Sequence, residues 1–468
     1  MRVASSTLYN LGTTSLNDLY YQQTQLQQQL STGRKMLSPS DDPIAASRAL
    51  YVSQSASIVT QYTTNSNSAN TSLQNQTSAL ASVASTIQDI QSLAVQAGNP
   101  TLTSAEKQII NTSLNSSYQQ LMGLANTTDG SGLYLFSGFA GGTKPFTETG
   151  FGNVTYNGDQ GQRQIQISAS RNLPVSSDGS QVFQTIKDGN GTFATAAADT
   201  NSGTGLVSAG EVLDKAKWNS ASNVKDFSVK FNSITNTADP SGKPIVNYDI
   251  VDNRQTLTDG TTNPNYNHSM IDGYDYTAGD RTAAAGVNPY PRSYTDGGDI
   301  VFAAQSTDPA PAAGATLPVP GWDFGVKMSI TGTPADGDTF SVDASQNQDI
   351  FSTISQFSSA LNSYTTSTSG ADQTKFQNAL NGVMSNLNNA LQNVLSVNAS
   401  TGAWQNEITA VQTINSSVSL NYSQTLSGLQ DLDYASAISG FSQNQTLLEA
   451  ARQTYSKIQG NSLFQYIS

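Results

Sequence analysis

The chain has 468 residues, with no cysteine, one histidine and a net charge of −13 from 21 basic and 34 acidic side chains. These counts exclude a disulfide framework, a thiolate metal site, a cysteine nucleophile and a multi-histidine metal centre. The acidic balance argues against a protein that tracks nucleic-acid phosphates. No run of 18 apolar residues occurs, so we predict no membrane insertion.

The first forty residues carry a heptad-like leucine pattern. Gln23 and Gly33 fill the seam positions that the leucines skip. A stripe this narrow is typical of a helix that packs against another helix rather than on a broad core. We predict an assembly interface along this stripe. Its residues are Leu16, Leu19, Leu26, Leu30 and Leu37.

A break in the helical pattern follows at residues 38–43. Asp41 or Asp42 can cap the next helix, and Pro43 suits its first turn. We therefore predict a junction between domains at this point. The residues that mark it are Pro39, Asp41, Asp42 and Pro43.

A long second helix is predicted over roughly residues 44–97, stopped by the Gly-Asn-Pro sequence at 98–100. At about 80 Å it would exceed an ordinary globular helix, which favours a bundle or a coiled coil. Thr103 and Glu106 then form the capping-box pattern of a third helix. The seam of the second helix consists of Ile44, Tyr51 and Ile58, followed by Leu73, Leu80, Val83, Ile87, Ile90, Ala94 and Ala97.

The middle of the chain, residues 186–345, is rich in strand and turn signals. It holds 17 of the 37 glycines and 10 of the 15 prolines, and it carries a net charge of −9. Alternating apolar residues predict strands at 227–231, 326–330 and 340–342. We expect this acidic segment to be an exposed, β-rich domain whose charge favours solubility.

Two further expectations concern connections. Val154 and Tyr156 precede Asn157-Gly158, which predicts a hairpin turn into a strand at 162–168. Residues 252–320 show little periodicity, and we expect a loop-like insertion there.

The C-terminal 123 residues contain no proline and return to helical spacing. A first seam consists of Phe376, Leu380, Val383, Leu387, Ala390, Val394 and Val397. The last segment carries Ala437, Phe441, Leu448, Ala451, Tyr455 and Ile458. Because both ends of the chain present narrow apolar stripes, we predict that the terminal helices pair and that these residues share the assembly interface.

The predicted fold class is therefore α+β, with long paired N- and C-terminal helices and a β-rich inserted domain. The terminal helices should form a coiled coil or a helical bundle. The predicted domains are a terminal coiled-coil domain (1–43 and 425–468), a long-helix domain with a β-hairpin (44–185 and 346–424) and the exposed domain (186–345).

Chemistry-bearing candidates are few. His268 lies in a polar loop, and a surface position is a better explanation for it than a catalytic base. Acidic pairs such as Asp336 with Asp338, or Asp272 with Asp275, lack the twelve-residue calcium-loop pattern. No nucleotide-binding or hydrolase motif occurs. We predict no enzyme activity, no cofactor and no metal.

Several stretches resemble a known family. The sequence from Ser31-Thr32-Gly33-Arg34-Lys35 to Ala46 resembles the N-terminal signature of flagellins and flagellar hook-associated proteins. The opening Met1-Arg2-Val3, the stretch 121–138 and the ending 459–465 are similar to the hook–filament junction members of that family. The stretch 332–342, before the returning helix, also matches this group.

The resemblance implies a structural protein of the extracellular bacterial flagellum. It would be exported through the flagellar type III apparatus without a cleaved signal peptide. Such a subunit joins the hook, through the first hook-associated protein, to the flagellin filament. Its expected partners are further copies of itself, the first hook-associated protein and flagellin, with the filament cap protein bound transiently and an export chaperone at the C-terminal helix.

Two alternatives remain open. A flagellin-type filament subunit shares the terminal architecture, and the segment 190–320 could carry an adhesive surface. We also expect the extreme terminal helices to be mobile in the monomer and to order against neighbouring subunits, because a thin seam buries little apolar area.

Overall fold

A computed structural model describes residues 2–221, 223–236, 243–257, 260–281, 287–311, 317, 319–364 and 369–460. The helices of this part are α1 (Arg2–Thr32), α2 (Pro43–Ala97), α3 (Ser104–Ala125), α4 (Gly179–Phe183), α5 (Lys215–Trp218), α6 (Ile350–Ser363), α7 (Gly370–Gln430) and α8 (Tyr434–Gly460), with a 3₁₀ turn at Tyr276–Ala278.

The strands of the same part are β1 (Phe146–Gly150), β2 (Asn153–Tyr156), β3 (Gln164–Ser168), β4 (Arg171–Pro174), β5 (Ile186–Lys187), β6 (Phe193–Ala197), β7 (Leu206–Val207), β8 (Glu211–Val212), β9 (Asp226–Ile234), β10 (Ile245–Asp252), β11 (Arg292–Ser293), β12 (Asp299–Ala303), β13 (Asp323–Thr331), β14 (Thr339–Ala344) and β15 (Asn347–Gln348). The α+β class with helices at both ends and a β-rich centre is confirmed.

Contacts divide the chain into two compact units. The terminal unit comprises residues 1–69, 165–173 and 406–468, and the central unit comprises 70–164 and 174–405. Helices α2 and α7 each contribute to both units. The three-part division predicted from the sequence stays a prediction.

In the terminal unit, α1 and α8 pack side by side and run antiparallel. Tyr434 at the start of α8 meets Gly33 just past the end of α1, while Tyr455 near the end of α8 meets Gly12. Helix α1 contains few charged residues that could form stabilising ion pairs along the helix. Its stability therefore comes mainly from packing against α8.

The β3–β4 hairpin belongs to the same unit through its residues 165–173. The Nδ2 groups of Asn65 and Asn415 donate to the carbonyls of Gln166 and Ile167, at 2.8 and 3.2 Å. Arg171 pairs with Glu407. The two asparagines thus satisfy main-chain carbonyls of a hairpin whose Ile167 and Leu173 side chains are buried.

The central unit contains a helical core built from α2, α3, α6 and α7. The predicted seam positions from Leu73 to Ala97 on α2 are buried, as are those from Phe376 to Val394 on α7. The capping box of α3 is present, with Thr103 and Glu106 satisfying each other's backbone amides. These helical predictions are confirmed.

A second core of the central unit lies between two antiparallel sheets. One sheet has the order β11-β10-β9-β14-β6, and the other has the order β12-β13-β7, with β8 also paired to β13. Phe227 of β9 lies 5.2 Å from Phe302 of β12 and 5.1 Å from Phe324 of β13, between ring centroids. The three strands predicted from alternation lie within β9, β13 and β14.

The predicted hairpin at Asn157-Gly158 is wrong. Strand β2 pairs with β1 across a tight turn, and β3 pairs with β4. The Tyr156 hydroxyl donates to the carbonyls of Phe136 and Asp159. These bonds hold the segment after β2 against the end of that strand and against residue 136. The Asn-Gly pair therefore belongs to a connection rather than to a hairpin turn.

The stretch 252–320 is also more structured than expected in its described residues. It contains β11, β12 and the 3₁₀ turn. Arg281 pairs with the buried carboxylate of Asp249 and the half-buried carboxylate of Asp272, and Tyr276 donates to Asp249 at 2.7 Å. Met270, Ile300 and Phe302 are also buried in the sheet core, so the order comes from apolar burial together with polar contacts that leave no periodicity in the sequence.

Candidate assembly surfaces

The predicted seam residues of the two chain ends come together inside one protomer. Along α1, the four leucines from Leu16 to Leu30 are half-buried; on α8, Ala437 is buried and the residues from Phe441 to Tyr455 in the seam are half-buried. Leu37 is half-buried in the connection after α1. The side chain of Ile458 lies outside the described residues.

Two close contacts mark the register of the α1–α8 pair. A Cβ atom at Gly12 would lie 3.1 Å from the Tyr455 ring, and one at Gly33 would lie 2.9 Å from the Tyr434 hydroxyl. Gly33 also has a φ of 68°, a conformation that favours glycine. The glycines in the leucine stripe therefore make room for tyrosines of the partner helix, which the leucine pattern alone did not indicate.

The connection between α1 and α2 is built by carboxylates. Asp41 accepts hydrogen bonds from the amides of Ser38 and Leu37, and these bonds lower the pKa of Asp41. Asp42 accepts from the Ala45 amide at 2.9 Å and so caps α2, whose first residue is Pro43. The predicted helix break and cap are confirmed, and Pro39 is exposed in the turn. A domain junction here stays a prediction.

A groove of about 580 Å³ opens beside this connection. Its apolar lining comes from both sides of the break, with Leu37 and Pro39 facing Leu50 on α2. Arg34 and Gln430 lie at its polar edge. The groove is large enough to receive apolar side chains from another protein segment.

Exposed apolar side chains are concentrated on the terminal unit. Ile44, Tyr51 and Ile58, which repeat by seven, are 68%, 72% and 43% exposed on α2. Their heptad pattern predicts a partner helix, yet the described residues of the chain supply none. Among the side chains that the structure describes in this unit, the exposed large apolar ones are Tyr9, Leu11, Tyr20, Tyr21, Ile44, Leu50, Tyr51, Ile58, Ile414, Leu420, Tyr434, Ile438 and Leu447.

His268 and the acidic residues that could carry chemistry have local contacts that explain their positions. His268 is half-buried, with Nδ1 3.0 Å from the Tyr266 carbonyl. Asp338 is buried and accepts from the amides of Ser202 and Ala335, at 2.7 and 2.8 Å. No group of three His, Cys, Asp or Glu residues with metal-binding geometry occurs within the described ranges. Across those same ranges, no helix is long and apolar enough to cross a membrane.

Comparison with family models gives matches at both ends of the chain. The bacterial flagellin N-terminal helical region matches residues 5–140, and the bacterial flagellin C-terminal helical region matches residues 384–467. The first match contains α1 to α3, and the second contains most of α7 together with α8.

Similar proteins share one name. The flagellar hook-associated proteins 3 of Salmonella typhimurium and Escherichia coli are each 33% identical over 186 residues, which is 40% of this chain and 58% of theirs. The chain therefore matches somewhat more than half the length of these curated relatives.

Solved structures extend the likeness over most of the chain. The crystal structure of Xanthomonas campestris FlgL is 27% identical, with a TM-score of 0.60, and the match covers 80% of this chain and 99% of that one. The flagellar junction protein FlgL from Legionella pneumophila shares the fold, with 24% identity, a TM-score of 0.61, and coverage of 82% and 100%. The two terminal regions of the chain match bacterial flagellin, and the chain as a whole is similar to proteins of the hook-associated protein 3 (FlgL) type.

Proposed function

We propose that this chain is a structural subunit that joins the hook of the bacterial flagellum to the flagellin filament. The observation that carries the proposal is the terminal unit, where the two family-defining helical regions pair while apolar side chains of the same unit stay exposed. The relatives named hook-associated protein 3, and the Legionella structure described as a flagellar junction protein, support this function.

The exposed stripe Ile44, Tyr51 and Ile58 gives the assembly a physical driving force. Burying a large apolar side chain contributes about 1.5–3 kcal/mol. A protomer that places this stripe on a different surface of the next copy makes a head-to-tail contact. Repeated head-to-tail contacts generate rings or helical tubes rather than closed dimers. The stripe and the groove beside Leu50 are therefore the proposed contact surfaces, next to the α1–α8 seam.

The proposed partners follow from this position in the axial structure. They are other copies of the chain, the first hook-associated protein on the hook side and flagellin on the filament side. We further propose transient contact with the filament cap protein and capture of α8 by an export chaperone before secretion. The site of action is extracellular, after type III export, and no contact with nucleic acid or membrane is involved.

The role is structural rather than enzymatic. The relatives are named as flagellar components. The exposed groups of the terminal unit are apolar helix faces, which suit association of subunits rather than chemistry on a small substrate.

The direct experiment is electron microscopy of hook–filament boundaries in a strain that lacks the gene. Filaments should be missing from otherwise complete hooks, and expression of the full chain in trans should restore them. Intact filaments on hooks of the deletion strain would refute the junction function. Quantitative mass spectrometry of sheared flagella distinguishes this function from the alternative of a flagellin-type filament subunit, because a bulk flagellin is far more abundant than a junction subunit.

A further inference from the structure

A polar layer interrupts the apolar seam of the α1–α8 pair. Asn444 on α8 is 5% exposed, and its Nδ2 donates to the Leu19 carbonyl at 3.3 Å. Its Oδ1 atom is buried without a hydrogen-bond partner, and the Oε1 atom of Gln23 on α1 is in the same condition, among the residues that the structure describes.

The register of the pair places these two amides opposite each other. The Gly12–Tyr455 and Gly33–Tyr434 contacts lie at the two ends of the pair, three heptads apart on each helix. Counting inward from either contact brings Gln23 level with Asn444, near the midpoint. The described geometry is therefore one polar layer flanked by two glycine–tyrosine contacts.

A shift of the register would be costly at this layer. Moving one helix by a heptad would set Asn444 against Leu16 or Leu30, where the partner offers no amide. The shift would also take the Asn444 Nδ2 donor away from the Leu19 carbonyl and bury each amide in a separate apolar layer, and a buried donor without its partner costs about 1–3 kcal/mol. A single buried amide is known to fix register in coiled coils, at some expense of stability.

We propose that the Gln23–Asn444 layer determines the antiparallel register in which the two ends of the chain pair, and that it lowers the stability of that pair. The leucine positions around it would accept several registers, since leucine seams repeat every heptad. This inference concerns pairing within one chain and does not depend on the proposed position of the protein in the flagellum.

The absence of native cysteine makes a crosslinking test clean. In the full chain, the pair Leu26→Cys with Phe441→Cys reports the observed register. The pair Leu26→Cys with Leu448→Cys reports a register shifted by one heptad. Both pairs are placed in a Tyr434→Leu/Tyr455→Leu background, which removes the tyrosine contacts. The backbone bridge between Arg34 and Asp431 stays the same in every variant, so a difference between variants reports the polar layer. Disulfide formation within the monomer is measured by mass spectrometry at low protein concentration.

With Gln23 and Asn444 present, we expect only the in-register disulfide. With Gln23→Leu and Asn444→Leu, the shifted disulfide should increase at least tenfold. The matched control keeps the polar layer and replaces Leu26 by isoleucine. Its reporters are Leu19→Cys with Leu448→Cys for the observed register and Leu19→Cys with Phe441→Cys for a register shifted by one heptad in the other direction. The yield of the shifted disulfide should be unchanged by Leu26→Ile. A shifted disulfide that forms equally with and without the polar layer would overturn the proposal.

A second measurement tests the effect on stability in the natural tyrosine background. The Gln23→Leu/Asn444→Leu chain should unfold at a higher temperature than the natural chain in the helical circular dichroism transition of the terminal unit. An unchanged or lower midpoint would contradict the proposed loss of stability at this layer.

Discussion

Several acidic side chains act by holding backbone amides rather than by doing chemistry. Asp338 lies in the stretch 332–342 that resembles the family, and its carboxylate binds amides of the 202–203 loop and of Ala335. A Cβ atom at Gly203 would lie 2.5 Å from Asp338 Oδ2, so the close approach requires glycine there. This motif is an anchor for the backbone of the central unit.

Asp343 gives the central unit a pH-dependent stability. Burial, together with the Asp226 carboxylate on the neighbouring strand, raises the pKa of Asp343 to about 6, although a hydrogen bond from Ser341 opposes the rise. The unfolded chain releases this proton near pH 4, so stability is greatest below that pH and falls as pH rises through about 6. The Asp343→Asn variant should therefore be more stable at pH 7 by about 1–2 kcal/mol.

Urea unfolding at pH 5 and pH 7 checks this effect through the fluorescence of Trp218 and Trp322, both buried in the sheet core. A Trp404→Phe background removes the signal of α7. Asp199→Asn, at an exposed position, is the matched control and should change nothing. Equal stability of Asp343→Asn and the parent at pH 7 would contradict the prediction.

At the scale of elements, α7 carries a ladder of asparagines that recognises main-chain groups of the central unit. Asn389 donates to the carbonyls of Lys187 and Gly189, both at 2.8 Å, and Asn393 donates to that of Val182 at 3.0 Å. Asn386 accepts from the Gly189 amide at 3.1 Å, and Asn378 accepts from Val207 at 3.0 Å. The segment between α4 and β7 is thus held to α7 by amides.

Replacing Asn389 by alanine should destabilise the central unit by about 1–2 kcal/mol, because the Lys187 and Gly189 carbonyls each lose one hydrogen bond and Gly189 keeps only the bond from Ser385. The neighbouring Asn388 is exposed on the same helix, so Asn388→Ala changes helix propensity equally without touching the segment. The difference between the two variants in urea midpoint measures the ladder contact. Identical midpoints would show that the contact contributes nothing.

The heptad stripes of α1, α8 and α2 have the same sequence pattern but different surroundings in the structure. The leucines of α1 and the seam of α8 do meet, as their spacing indicates. Ile44, Tyr51 and Ile58 carry the same signal but are exposed. Periodicity shows that a helix has an apolar face, but it does not show whether the covering surface comes from the same chain.

At the scale of the whole molecule, we expect the exposed stripe to contribute to assembly but not to folding stability. Replacing Ile44, Tyr51 and Ile58 together by serine should leave the unfolding midpoint nearly unchanged, because exposed positions contribute little to stability. The same variant should fail to restore filaments to a deletion strain, as counted by electron microscopy.

A triple variant in the central unit provides the control. Val95, Ile109 and Leu395 are also exposed apolar residues on helices. Replacing them by serine should leave filament attachment intact. Normal filament attachment with the stripe variant would exclude the stripe as a contact surface.

Removal of either chain end should abolish assembly by removing part of the folded terminal unit, unlike the stripe variant, which leaves the fold intact. Deleting residues 1–40 or 430–468 removes one half of the α1–α8 pair, so assembly should be lost, while the central unit keeps both of its cores. Limited proteolysis should then yield a resistant fragment that contains the sheets. Loss of that fragment would show that the central unit requires the terminal helices.

The sequence by itself determined the class of the fold, the long helices, the capping box, the strands of the sheet core and the family, because these depend on local spacing and on recognisable motifs. Only the tertiary structure decided three features. Strand β2 pairs with β1, the described part of 252–320 is ordered by ion pairs together with apolar burial, and tyrosines of α8 fit against glycines in α1 and just past its end. Such contacts join residues far apart in the chain through shape and hydrogen bonds, and neither leaves a periodic signal in the sequence.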